Sequence, residues 1–166
     1  MCGSLLSVGI ACSFRRSPRS VLLREPRSVC QDHEIDRAEA QAFAEDWIQA
    51  WNAHDLEPVL SHFSDDVVFT SPVAERLVPG SGGVIRGKAA LRDYWSEGLR
   101  RIPELRFELL GIYLGQTTLV INYRNQSGGL VNEILTFDGD LVTAGHGTYL
   151  ASDANLAGVR AAPDDG

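Results

Sequence analysis

The sequence has no cysteine beyond residue 30; Cys2, Cys12 and Cys30 are its only three. A domain downstream of them needs no disulfide and offers no thiolate metal site, which fits a reducing compartment. Basic charge is also scarce. Fifteen Lys and Arg stand against 22 Asp and Glu, a formal net charge of −7. That balance argues against nucleic acid or an anionic membrane as partner. The apolar run Leu5–Cys12 is too short to span a bilayer, and no charge precedes it as in a secretory signal. G-x-S-x-G, H-E-x-x-H and G-x-G-x-x-G are all missing, and the Gly-rich segment 73–87 lacks the GK[ST] ending of a phosphate loop. Asp65-Asp66 has no further oxygen ligands at useful spacing. No metal or nucleotide cofactor is expected.

Charge is unevenly spread. Residues 1–30 carry five arginines and one glutamate, +4, which leaves −11 for the remainder. The segment is Arg- and Ser-rich like a transit peptide in composition, but reads most simply as a disordered extension of a cytoplasmic protein. A domain over residues 31–151 and a disordered Ala/Gly/Asp-rich tail over 152–166 complete the expected organisation.

At 44% hydrophobic residues, the chain can bury a core. Ile35, Ala38, Phe43, Ala44, Trp47, Ile48 and Trp51 form a helical stripe. Asn52 to His54 interrupt it, and Asp55 is placed to cap a short second helix whose apolar face is Leu56, Val59, Leu60 and Phe63. Val67 to Thr70 reads as a strand ended by Ser71-Pro72. Residues 73–87 read as a Gly-rich loop, either a flap or a plain surface connection. A helix follows over about Lys88–Arg101, with Leu91, Tyr94, Trp95 and Leu99 on one face and Pro103 beyond its end.

Four strand-like runs close the domain, over 105–114, 117–125, 130–138 and 141–150. Gly115-Gln116 and Gly139-Asp140 suit two-residue turns. The order predicts an α+β fold, a curved, mostly antiparallel sheet with about three helices packed on one face.

The turn at Gly139-Asp140 sets an expected register in which Glu133 lies opposite His146 and Leu135 opposite Ala144, on one largely apolar face. A carboxyl and an imidazole on such a wall form a candidate acid/base pair, since burial raises the first pKa and lowers the second. An ion pair bridging two strands is the structural alternative. In the preceding hairpin the turn at Gly115-Gln116 places Leu110, Ile112, Leu119 and Ile121 on one face, with Phe107, Leu109, Tyr113 and Val120 on the other. Both faces are partly apolar, so one can fill the core while the other meets a second subunit in a homodimer.

Three stretches carry a family resemblance: AWNAHDLEPVLSHFSDDVVFTSP (50–72), RGKAALRDYW (86–95) and EILTFDGDLVTAGHGTY (133–149). Together they resemble the nuclear transport factor 2-like superfamily, in its SnoaL-like branch. The resemblance implies a cone-shaped, strongly bent sheet around a hydrophobic pocket that the helices close. It also implies relatives of ketosteroid isomerase and of polyketide cyclases, alongside non-catalytic binding modules. By comparison with ketosteroid isomerase, Trp47 falls where a tyrosine donates to the oxyanion, and Ser71 where an aspartate is the base. Glu133 falls where a protonated aspartic acid sits, and His146 at a pocket position of the last strand. The expected function is cofactor-independent acid/base chemistry on a hydrophobic cyclic or polyketide-like small molecule. Glu133 and His146 are its candidate catalytic residues, with Trp47, Phe69, Tyr94, Trp95 and Asn122 lining the pocket. A non-catalytic ligand-binding or dimerisation module is the alternative.

Overall fold

Asp36 opens the first helix of the computed structural model, which describes residues 36–152. Its carboxylate accepts the free N–H groups of Ala38 and Glu39, as an N-cap should. Helix α1 (Arg37–Asn52) buries Ala40, Ala44, Trp47, Ile48 and Trp51. The chain leaves the helix at His54, which takes the left-handed conformation (φ 57°). Asp55 then caps α2 (Leu56–Ser61) through the N–H of Glu57. The expected extension over 1–30 and the tail over 153–166 lie outside the described residues.

Strand β1 (Phe63–Thr70) begins earlier than the apolar run at Val67 indicates. Asp65 and Asp66 lie within this strand. They occupy an irregularity inside the strand, where the register against its parallel neighbour shifts between Phe63 and Val68.

The expected loop over 73–87 contains two elements, α3 (Pro72–Leu77) and β2 (Val84–Arg86). Ser71 caps α3 by accepting the Val73 N–H at 3.1 Å, and Pro72 occupies the first helical position, where a missing N–H costs nothing. Glu75 then gathers the N–H groups of Gly80 and Gly83 and the hydroxyl of Ser81. This folds the glycines back and sets β2 antiparallel on β1, Phe69 beside Ile85. Gly83 requires its lack of a side chain: φ is +76°, and a Cβ would lie 3.0 Å from the Ser71 carbonyl oxygen.

Helix α4 (Lys88–Arg101) buries Leu91, Tyr94 and Trp95. The remaining strands are β3 (Glu108–Leu114), β4 (Thr118–Arg124), β5 (Leu130–Asp138) and β6 (Leu141–Tyr149). The fold is α+β: the described residues form four helices and one curved, unclosed six-stranded sheet in the order β2-β1-β6-β5-β4-β3. Only the β1–β6 pairing is parallel. Asn52, at the end of α1, ties helix to sheet: its amide donates to the Phe107 carbonyl (2.9 Å) and accepts the Phe107 N–H (2.7 Å).

Both expected hairpin registers are corrected. In β5–β6 the turn falls at Gly139-Asp140 as expected, and Phe137 pairs with Val142. Thr143 is then passed over, and Thr136 pairs with Ala144. From that bulge onward the ladder is displaced by one residue, so Glu133 lies opposite Gly147, and His146 opposite Ile134. In β3–β4 the Gly115 N–H donates to the Thr118 carbonyl, which puts Gln116-Thr117 in the turn. A second bulge at Leu110 turns Phe107 and Leu109 toward the core, with Ile112, Leu119 and Ile121. Leu110 and Tyr113 are left 43% and 63% exposed.

Candidate functional site

The inner face of the sheet and the helices enclose a cavity of about 170 Å³. A cavity of about 150 Å³ holds one benzene ring, so this one takes a ring with substituents. Its walls are largely aromatic. Trp47 and Trp51 come from α1, one turn apart, and Tyr94 and Trp95 from α4. Phe69 comes from β1, and Phe107 and Tyr123 from the far side of the sheet. The rings support one another: Trp51 meets Trp95 edge-on at 5.2 Å, and Phe107 lies 4.4 Å from Tyr123. Gly145 makes room for this packing, since a Cβ there would lie 2.7 Å from Cδ2 of Phe69.

Glu133 is the carboxyl group of this cavity, only 5% exposed. The Tyr123 hydroxyl donates to its Oε2 at 3.3 Å. Burial pushes the Glu133 pKa up to about 8, against a smaller downward pull from that hydrogen bond. The group is therefore mostly a neutral acid at pH 7. Burial likewise raises the Tyr94, Tyr123 and Tyr149 phenols, Tyr149 to about 12, so they stand as neutral donors. Ser71, the cap of α3, also lines the cavity, and its hydroxyl lowers the Tyr94 and Tyr149 pKa values slightly against the larger effect of burial.

Four of the five expected lining residues, Trp47, Phe69, Tyr94 and Trp95, reach the cavity. Asn122 does not. It lies opposite Asn132 and donates to that side chain at 2.7 Å on the outer face, while Tyr123, its neighbour in β4, points inward. His146 also leaves the site. The bulge at Thr143 turns it to the outer face, where Nδ1 lies 2.7 Å from the Thr70 hydroxyl. Gly147 takes the inner position beside Glu133. The expected Glu133–His146 pair does not form.

The sequence reading missed Tyr123, Tyr149, Phe107 and Arg76 as cavity residues. Tyr149 shares the Glu133 face only once the bulge is known. Arg76 could have been found from the Ser71-Pro72 helix-start signal, which places α3 over the pocket mouth. Among the described residues no cluster of three or more His, Cys, Asp or Glu forms a metal-binding group. Nor is any helix among them long and apolar enough to cross a membrane.

A bent six-stranded sheet wrapped around an aromatic cavity closed by helices is the nuclear transport factor 2-like architecture. Within that class, residues 44–151 match the SnoaL-like domain, and the chain belongs to that family. A SnoaL-like protein of unknown function from Burkholderia thailandensis E264 is 38% identical, covering 71% of this chain and 99% of its own, with a TM-score of 0.67. AclR from Streptomyces galilaeus, a proposed hydroxylase, is 19% identical over 77% of this chain and 100% of its own (TM-score 0.56). A proposed polyketide cyclase from Sinorhizobium meliloti is 12% identical over 64% of this chain and 94% of its own (TM-score 0.54). No protein of curated function matches the sequence.

Proposed function

We propose that the protein is a cofactor-independent enzyme, a cyclase, isomerase or dehydratase, acting on a hydrophobic cyclic or polyketide-like substrate. The observation that carries this reading is Glu133, a neutral carboxylic acid held by Tyr123 in an aromatic cavity. As the acid it donates its proton to a substrate carbonyl oxygen, and the carboxylate left behind takes the α-proton, so the ketone becomes its enol and Glu133 is protonated again. With a pKa of about 8 it can also release that proton and recover it within a cycle near neutrality. The fold shared with a proposed polyketide cyclase and a proposed hydroxylase supports the substrate class. The test is Glu133→Gln on poly-ketone and cyclic-ketone substrates. Turnover should fall about 10²- to 10⁴-fold, while the affinity for a product-like ligand changes little. Undiminished turnover rejects the reading.

One observation favours the second reading, a non-catalytic ligand-binding module. With His146 on the outer face, Glu133 has no imidazole partner in the cavity. Saturable ligand binding without turnover of any enolisable ligand would decide for it. In either case we propose a homodimer formed through the outer face of the sheet, where Leu110 and Tyr113 stand exposed. A monomer by light scattering at micromolar concentration contradicts that.

A further inference from the structure

Arg76, on α3, lines the cavity. Its Nε is buried with no hydrogen-bond partner, and among the described residues the side chain makes no hydrogen bond or ion pair. Its neighbour Glu75 makes no ion pair with it: the Glu75 carboxylate oxygens accept from the Gly80 and Gly83 N–H groups and the Ser81 hydroxyl in the glycine turn. The Arg76 charge is felt by the phenols of Tyr94 and Tyr149, which are neutral. Glu133, the cavity's carboxyl group, is mostly neutral at pH 7 and makes no ion pair with Arg76. A guanidinium partly withdrawn from water with no anion beside it is costly unless something else supplies one.

The other unpartnered groups point the same way. Among the described residues, four buried side-chain polar atoms lack a partner: Trp47 Nε1, Trp51 Nε1, Arg76 Nε and Ser64 Oγ. The first three are N–H donors with no acceptor capacity, and all three belong to residues of the cavity wall. The site has donors in excess and an uncompensated positive charge. A wholly apolar ligand would satisfy none of this.

We propose that Arg76 anchors a carboxylate, so that the ligand is a planar aromatic or cyclic carboxylic acid. Its ring packs among the tryptophans, and its carboxylate meets the guanidinium fork in bidentate fashion. This rests on the reading of the cavity as a small-molecule site and adds the charge of the ligand to it.

The chain's three tryptophans, Trp47, Trp51 and Trp95, all line the cavity, so quenching of intrinsic fluorescence, corrected for the ligand's own absorption and emission, reports ligand entry. The full chain is titrated with 2-naphthoate and with its uncharged analogue 2-naphthamide. A hydrogen-bonded ion pair predicts that naphthoate binds roughly 10- to 100-fold more tightly. Arg76→Gln removes that preference and leaves naphthamide affinity within about two-fold. Arg76→Lys, which keeps charge but not the fork, retains part of it. Because Arg76 has no partner among the described residues and its burial is costly, the Arg76→Gln variant should melt no lower than the parent. Equal affinity for the two ligands, or equal losses for both in Arg76→Gln, overturns the inference while leaving the small-molecule site intact. Failure of both ligands to quench overturns both readings.

Discussion

Replacing Glu133 by glutamine removes a titrating group without changing its shape, and the consequence for stability can be worked out. The Glu133 pKa is 4.5 in an ordinary setting and about 8 in the fold. Below pH 4.5 both folded and unfolded chains hold the proton, and its favourable burial is fully present. As pH rises above 4.5 the unfolded chain releases the proton while the folded one keeps it, so stability falls, and the loss is complete only above about pH 8. Each pH unit within that window costs about 1.4 kcal/mol. The whole window then amounts to about 5 kcal/mol, and pH 5 to 7.5 to about 3 kcal/mol. At 5% exposure, solvent screening does little to reduce this. Glutamine still accepts the Tyr123 hydroxyl but does not ionise. Urea denaturation of both proteins, at half-unit steps from pH 5 to 8, isolates Glu133 as the difference between two curves. Contributions from other groups, such as His62, whose pKa is lowered by burial, cancel. Glu133→Gln should gain about 3 kcal/mol on the parent between pH 5 and 7.5. Parallel curves would refute the reasoning, and a parent that gains stability over this range relative to the variant would reverse its sign.

Three further substitutions probe the frame around the site. Asn52→Ala removes both hydrogen bonds to the Phe107 backbone and leaves its N–H and C=O partly buried and unpaired, so the urea midpoint should fall by an amount equivalent to about 2–3 kcal/mol. Gly145→Ala puts a Cβ 2.7 Å from a Phe69 ring already packed on Trp95, and should cost about 1–3 kcal/mol in the same assay while weakening ligand binding through the displaced ring. His146→Ala loses only its contact with Thr70 and should cost about 0.5–1.5 kcal/mol, with ligand affinity unchanged by fluorescence titration.

What the sequence makes legible here is local. Asp55 announces α2 because an N-cap needs only an acceptor side chain in the right place, whereas the helical stripe begun at Ile35 gives no sign that Asp36 caps α1. Helix α4 lies where its apolar spacing and Pro103 put it. Glu133 reaches an apolar wall because alternation along one strand suffices to aim it. Contacts between strands were harder. Two single-residue bulges, at Thr143 and Leu110, each reverse the facing of everything beyond them; Gly111, inside β3, is the one sign of the second, while Thr143 itself carries no turn chemistry. One bulge sends His146 outward and brings Gly147 in. The other carries Phe107 and Leu109 inward. Asn122 lost its place to Tyr123 because alternation offers two faces and does not say which is inner. Helix α3 is too short for periodicity to show, which hid Arg76 despite the Ser71-Pro72 signal at its start.

A neutral carboxylic acid inside the aromatic cavity is what the proposed chemistry requires, and carbon NMR of the Glu133 side-chain carboxyl against pH measures it directly. A midpoint near pH 8 is expected, moving higher in Tyr123→Phe, where the hydrogen bond that favours the ionised form is gone. A midpoint near 4.5 would place a carboxylate in the cavity at neutral pH, and would contradict the proton-donating role given to Glu133.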